Sequence, residues 1–257
     1  MDRDRYDALT EALRERLAAD ERVIGLVALG SMAARDYEPD RWSDHDFFVI
    51  TGEPWAEEMR NDPTWLPEAE RIVFALRETA HGLKIVHDDG HLLEFAVFTP
   101  QEIALAKAGR SRVLLDRGGV AEAIEAISDQ VRPTPDVDVR YALGMMVANV
   151  LVGVGRHRRG ERLSAHQFVA GHALGHLLRA LATTPSPDAQ LLDGLDARRR
   201  FERAYPTIGA ELDALLERPL LELAVGLLAI ARRELGDVVP ADVLSAMTVV
   251  EGLASAS

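Results

Sequence analysis

Between Leu26 and Thr51 the chain reads LVALGSMAARDYEPDRWSDHDFFVIT, and this stretch holds the residues best suited to chemistry. A Gly30-Ser31 pair ends one apolar run, and an Asp44-x-Asp46 pair opens the next. Side chains alternate across a strand, so Asp44 and Asp46 share a face while His45 points to the other and packs there. Two neighbouring carboxylates repel, and a divalent cation is the usual reason to build such a pair. Mg²⁺ suits them, being a hard ion that takes one or two carboxylates together with phosphate oxygens and water. Gly30 lets the backbone approach a phosphate closely, and Ser31 opens a predicted short helix over 31–35 whose free N–H groups attract anions. Ser31 can serve as an N-cap and as a phosphate ligand at once.

These residues need strands to hold them, and the flanking pattern supplies strands. VIGLVAL (Val23–Leu29) is apolar, β-branched and short, and FFVIT over 47–51 reads the same way. Asp88-Asp89-Gly90 is a strong hairpin turn between strands predicted over 83–87 and 91–98, with a further strand over 71–76. Upstream, Tyr6, Leu9, Leu13 and Leu17 recur at helical spacing among charged neighbours, the signature of an amphipathic helix lying on a core. After Thr99-Pro100 the pattern turns helical, with a helix over 121–130, and Arg132-Pro133-Thr134-Pro135 breaks the chain. Beyond that break, apolar-periodic stretches at 137–157, 164–183, 208–217 and 219–235 are joined at Pro185-Ser186-Pro187, Pro206 and Pro219. The expectation is an α+β protein: a mixed-sheet domain over 1–132, then an all-helical bundle over 133–257.

The 257 residues are 47% hydrophobic and 28% charged, enough chain to bury a core in each half. With no cysteine, a disulfide scaffold, a thiolate zinc site and a cysteine nucleophile are excluded. The net charge of −13 opposes a phosphate backbone, disfavours nucleic acid as a partner, and favours a cationic small substrate. LLELAVGLLAIA is too short for a membrane span and contains Glu222, so it reads as a core helix. The first residues lack the apolar core of a secretory signal, and a cytoplasmic location is expected. His172 and His176 share a helical face without an H-E-x-x-H pattern, which suggests packing rather than zinc. His87 and His91 flank the hairpin turn and are expected at its exposed end. The apolar helices of the second half make a homodimer plausible.

The string G-S, twelve residues, then D-x-D and an apolar strand resembles the DNA polymerase β-type nucleotidyltransferase superfamily. Glu94, in LLEFAVF, matches the third acidic position of that signature. Within the superfamily the chain is most similar to the lincosamide and aminoglycoside nucleotidyltransferases that inactivate antibiotics, with weaker likeness in RRGERLSA and ARRRFERAYP. The resemblance implies a polymerase-β-like fold and Mg²⁺-dependent transfer of a nucleoside monophosphate onto a hydroxyl of a small acceptor. It implies AMP from ATP, with pyrophosphate released. Asp44 and Asp46 would hold the metal, and Glu94 would act as base or share a second ion. The segment with Arg156, Arg158, Arg159 and Arg162 reads either as a helix C-terminus complemented by cations or, as the resemblance implies, as a clamp on the triphosphate. Arg198, Arg199, Arg200 and Arg203 read as a solvated or inter-helix cluster. Two rival readings remain: transfer to a protein or tRNA end, and a non-catalytic nucleotide- or partner-binding protein on the same fold.

Overall fold

The computed structural model describes residues 2–33, 39–128, 137–186, 188–192 and 196–256. The chain divides into two compact units, Met1–Arg132 and Pro133–Ser257. The expected break over 132–135, the end of the 121–130 helix, Pro187 and the far end of the 31–35 helix lie outside the described residues.

In the first unit, α1 (Arg3–Ala19) starts where Asp2 accepts a hydrogen bond from the Arg5 N–H, and it buries Tyr6, Leu9, Leu13 and Leu17. A six-stranded sheet follows in the order β3-β4-β5-β2-β1-β6. Its members are β1 (Val23–Leu29), β2 (His45–Thr51), β3 (Ile72–Arg77), β4 (Gly82–His87), β5 (Leu92–Phe98) and β6 (Ser111–Asp116), with α2 (Gly30–Ala33) after β1 and α3 (Trp55–Asn61) after β2. Only β2 and β5 run parallel; the other neighbours are antiparallel. β2 is a nearly unbroken apolar run because both faces of the sheet are covered. Phe47, Val49, Leu93 and Phe95 face the cluster built with α1, whereas Phe48, Ile50, Ala96 and Phe98 pack with Val120 and Ile124 of α4 (Val120–Ser128) on the other side.

One strand departs from expectation. The region after Pro100 is not all helical, because SRVLLD forms β6 against β1. Its side chains are only half-buried, as suits an edge position, so its apolar signal is weak.

The second unit is all helical among the described residues. Asp138 accepts from the Tyr141 N–H and starts α5 (Val139–Arg158). One rod then joins α6 (Arg162–His166), a π-helical stretch (Gln167–Ala173) and α7 (Leu174–Leu181). Gly153 lets α5 approach this rod, since a Cβ there would lie 2.5 Å from Val169 Cγ2. The helices α8 (Phe201–Ala204), α9 (Pro206–Leu216), α10 (Leu220–Leu235) and α11 (Ala241–Ser255) complete the unit. Pro206 sits in the first turn of α9, where its missing N–H costs nothing. The helix α11 was absent from the periodic stretches read above. No described helix is long and apolar enough to cross a membrane.

Candidate functional site

The parallel pairing of β2 with β5 puts Asp46 directly opposite Glu94. Directly opposed residues share a sheet face, and Asp44 lies two residues before Asp46 on that same face. Carboxylate oxygens of Asp44, Asp46 and Glu94 accordingly lie within 4.8 Å of one another, each residue half-buried. Asp46 and Glu94 are thus brought together by one pair of central strands, and Asp44 joins them from the residue just before β2.

Gly30 turns the chain out of β1 and into α2 (Gly30–Ala33) at φ +49°. The left-handed conformation favours glycine, and space demands it as well: a Cβ at this position would lie 2.9 Å from Asp46 Oδ2. The neighbouring Ser31 is fixed by a compact oxygen triangle. Its hydroxyl donates to the Asp44 carbonyl at 3.1 Å, the Tyr6 hydroxyl donates to the same carbonyl at 2.9 Å, and the two hydroxyls are 3.0 Å apart. Burial pushes the Tyr6 phenol well above its ordinary pKa, and the charges of Asp44 and Asp46 add to the effect. Tyr6 therefore stays a protonated donor. Periodicity reads it as one more buried residue of an amphipathic helix, and nothing in its spacing marks the hydroxyl.

Lys84 is the second residue that spacing alone does not single out. It stands opposite Glu94 on β4, with Nζ 3.3 Å from Glu94 Oε1 and 3.3 Å from Glu78 Oε1. The three-carboxylate cluster is thus bordered by one ammonium. Beside Asp44 opens a cavity of about 600 Å³, lined in part by Asp2, Arg41, Trp42, Asp89 and Leu92. The Trp42 indole is exposed, and the Arg41 guanidinium lies 4.4 Å from its ring centre.

Behind the carboxylates, on the opposite face of β2, lies a buried histidine string. His45 packs as expected, its ring 3.9 Å from that of Tyr6, with Nε2 3.0 Å from Thr10 Oγ1 and Nδ1 2.7 Å from His91 Nε2. Burial lowers the pKa of His45 to about 3 and that of His91 to about 4, so both are neutral near pH 7. The expectation that His87 and His91 sit at an exposed hairpin end is wrong, since both are buried. The Asp88-Asp89-Gly90 turn forms, with Gly90 at φ +82°, but Asp89 pairs with Arg5 of α1 and with Arg71, each at 3.1 Å. Those ion pairs hold the turn against α1 and bury the histidines beneath it.

In the second unit, the arginines of the R-G-E region are largely engaged locally. Arg158 donates to the carbonyls of Leu253, Ala254 and Ala256 at the end of α11, which is cation complementation of a helix C-terminus. Arg159 pairs with Glu161 at 2.9 Å, and Arg156 with the same carboxylate at 3.1 Å. Arg162 opens α6 and is exposed. Arg198, in the turn before α8, donates to the Gly171 carbonyl of the π-helical stretch at 2.6 Å; Arg199, Arg200 and Arg203 also have partners. His172 is exposed beside Phe168, whereas His176 is half-buried near Tyr141. Asp44, Asp46 and Glu94 are the one group of three or more potential metal ligands among the described residues.

No protein-family model matches the chain, and no curated protein matches it. Among solved structures it is similar to an aminoglycoside 6-adenyltransferase from Bacillus subtilis, at 12% identity and a TM-score of 0.41, over 96% of this chain and 98% of that one.

Proposed function

We propose that the chain is a nucleotidyltransferase that moves AMP from ATP onto a hydroxyl of a small cationic acceptor, of the aminoglycoside or lincosamide antibiotic class. The observation that carries this reading is the convergence of Asp44, just before β2, with Asp46 on β2 and Glu94 on the parallel β5, beside the Gly30-Ser31 turn. Three hard oxygen donors with no sulfur or imidazole among them fit Mg²⁺ well and suit softer metals poorly. When bound, Mg²⁺ supplies Lewis-acid neutralisation of the phosphate oxygens.

The residues divide the remaining work. Asp44 and Asp46 hold the cation, and Gly30 leaves room for Asp46 while bringing backbone close to the phosphates. Tyr6 fixes Ser31 and the start of β2, so the site is set before substrate arrives. In the transfer, the acceptor oxygen bonds to the α-phosphorus and the bond from that phosphorus to its bridging oxygen breaks. Pyrophosphate leaves with the electron pair, and the hydroxyl proton passes to the Glu94 carboxylate.

The cationic acceptor is supported by the cavity beside Asp44. The carboxylates of Asp2 and Asp44 and the exposed Trp42 indole line it. Arg41 already lies over that ring in the geometry a cationic ligand would adopt. Pyrophosphate release with ATP, Mg²⁺ and a panel of amino-sugar, aminocyclitol and neutral polyol acceptors tests the reading. Release is expected with a cationic member and not without Mg²⁺. Equal release with neutral polyols would contradict the acceptor assignment, and metal-independent release would contradict the site.

A further inference from the structure

The start of β2 carries Asp44 and Asp46 on one side and the His45 ring on the other, and it is held from behind. There His45 Nδ1 lies 2.7 Å from Nε2 of His91, the residue just before β5. His45 is 0% and His91 6% exposed, so burial keeps both rings neutral. A neutral imidazole has one N–H and one bare nitrogen, and its partners decide which is which. The Tyr6 carbonyl can only accept, so the Thr10 hydroxyl, 3.1 Å away, gives its single proton there. Thr10 Oγ1 must then accept from His45 Nε2, at 3.0 Å. That leaves His45 Nδ1 with a lone pair, and the bond to it is donated by the Nε2–H of His91. The reverse order would cost the Thr10–Tyr6 bond. One direction satisfies every contact: His91 to His45, His45 to Thr10, Thr10 to the Tyr6 carbonyl.

We infer that His91 is a positioning residue for the carboxylate site: its bond to His45 pins the start of β2 to the start of β5, and so sets the approach of Asp44 and Asp46 to Glu94. The inference rests on the reading of those carboxylates as the site that binds ATP with Mg²⁺. The leverage comes from where the strand pairing begins. His45 with Leu93 is the first pair of the parallel β2–β5 ladder, and Asp46 with Glu94 is the second, so Asp44 stands beyond the ladder's end. Its backbone is fixed instead by side chains: the Tyr6 and Ser31 hydroxyls donate to its carbonyl, and the ring of its neighbour His45 is clamped between His91 and Thr10. Tyr6 closes the loop, because its own ring lies 3.9 Å from that of His45. Without the His91 donor, His45 Nδ1 would be buried and unpaired, a state that proteins relieve by moving the ring or admitting water. Either response shifts the backbone that carries both aspartates.

Two measurements test this. In the wild-type chain with ¹⁵N-labelled histidine, a scalar coupling through the hydrogen bond is expected between His91 Nε2 and His45 Nδ1, with the proton on His91. No coupling, or a proton resident on His45 Nδ1, would overturn the inference. The second is equilibrium binding of ATP with Mg²⁺ to the wild type, His91→Gln and His91→Leu, at a temperature where circular dichroism shows all three folded. Glutamine sets an amide N–H near the place of the imidazole Nε2–H and is expected to bind ATP much as the wild type does. Leucine keeps bulk but has no donor, and is expected to weaken binding by about 10–100-fold, the usual effect of losing an outer partner at a metal site. If His91 only filled space, the two variants would bind ATP alike. That result would overturn the inference and leave the carboxylate site standing. A wild type that shows the coupling yet binds no ATP with Mg²⁺ would refute the site itself, and with it any role for His91 there.

Discussion

Gly30 makes the sharpest claim at the scale of a single residue, because two physical constraints meet there. Its φ of +49° is left-handed, and a Cβ would lie 2.9 Å from Asp46 Oδ2. Gly30→Ala should cost about 1–2 kcal/mol of stability from the backbone alone. It should also displace Asp46, so the loss in turnover should exceed what the stability loss explains; denaturant melts and kcat on the same preparation would separate the two. Glu94 poses a question of role. Its carboxylate is close enough to Asp44 and Asp46 to share a cation, yet it is also ion-paired to Lys84. If Glu94 takes the proton, Glu94→Gln should lower kcat by about 10²–10⁴ while leaving Mg²⁺-dependent ATP binding nearly unchanged. A parallel fall in binding would reassign it as a metal ligand, and no change in either would remove it from the site. Gly30, Ser31, Asp44 and Asp46 were readable from sequence because small, hydroxyl and acidic residues stand at strand ends in recognisable order. Tyr6 and Lys84 were not. A tyrosine hydroxyl is invisible to apolar periodicity, and a lysine in a half-exposed strand is ordinary until its cross-strand partner is known.

At the scale of elements, the strands β1, β2, β4 and β5 were legible because they are buried and β-rich, and β5 carried its turn signal with it. That signal marks where the chain reverses and says nothing about depth, so it points His87 and His91 to solvent when both are in fact buried, His91 beside Tyr6 of α1. Nor can local pattern reveal that β2 and β5 run parallel, and it is this pairing that brings Glu94 to Asp46. β6 was missed for the opposite reason, since a half-buried edge strand ending in charge has little pattern to read. The helix α11, rich in β-branched residues, sits near the border between helix and strand propensity. The buried histidine string gives this scale its prediction. His45 and His91 have folded pKa values of about 3 and about 4, below the ordinary 6.5, so the unfolded chain binds protons first as pH falls. Their contribution is complete above pH 6.5 and is lost progressively as pH drops toward 4 and then 3. The ion-paired carboxylates Glu57 and Glu102, held at about 2, begin to matter only below their ordinary value of 4.5. The melting temperature should therefore already fall between pH 6.5 and 4.5, and His91→Gln should flatten that part of the curve. A flat wild-type profile across that window would contradict the burial of the two imidazoles.

For the whole molecule, the net charge of −13 sets the long-range field. A cationic acceptor should bind more weakly as salt rises, since charges interact over only about 8 Å at physiological ionic strength, and a neutral acceptor should be indifferent. Calorimetric affinities at low and high salt would reveal the difference, and a cationic acceptor whose affinity ignores salt would refute the charge argument. The same field repels a triphosphate, and three clustered carboxylates repel it further. Nucleotide binding must then depend on a divalent ion held by those carboxylates, and this is the claim on which the account rests. The direct measurement is equilibrium binding of ATP to the wild-type chain and to Asp44→Asn and Asp46→Asn, each with Mg²⁺ and with a chelator. Binding is expected only by the wild type with Mg²⁺, with both variants folded and unable to bind. ATP binding that is equally tight in the chelator, or unchanged in both variants, would contradict it.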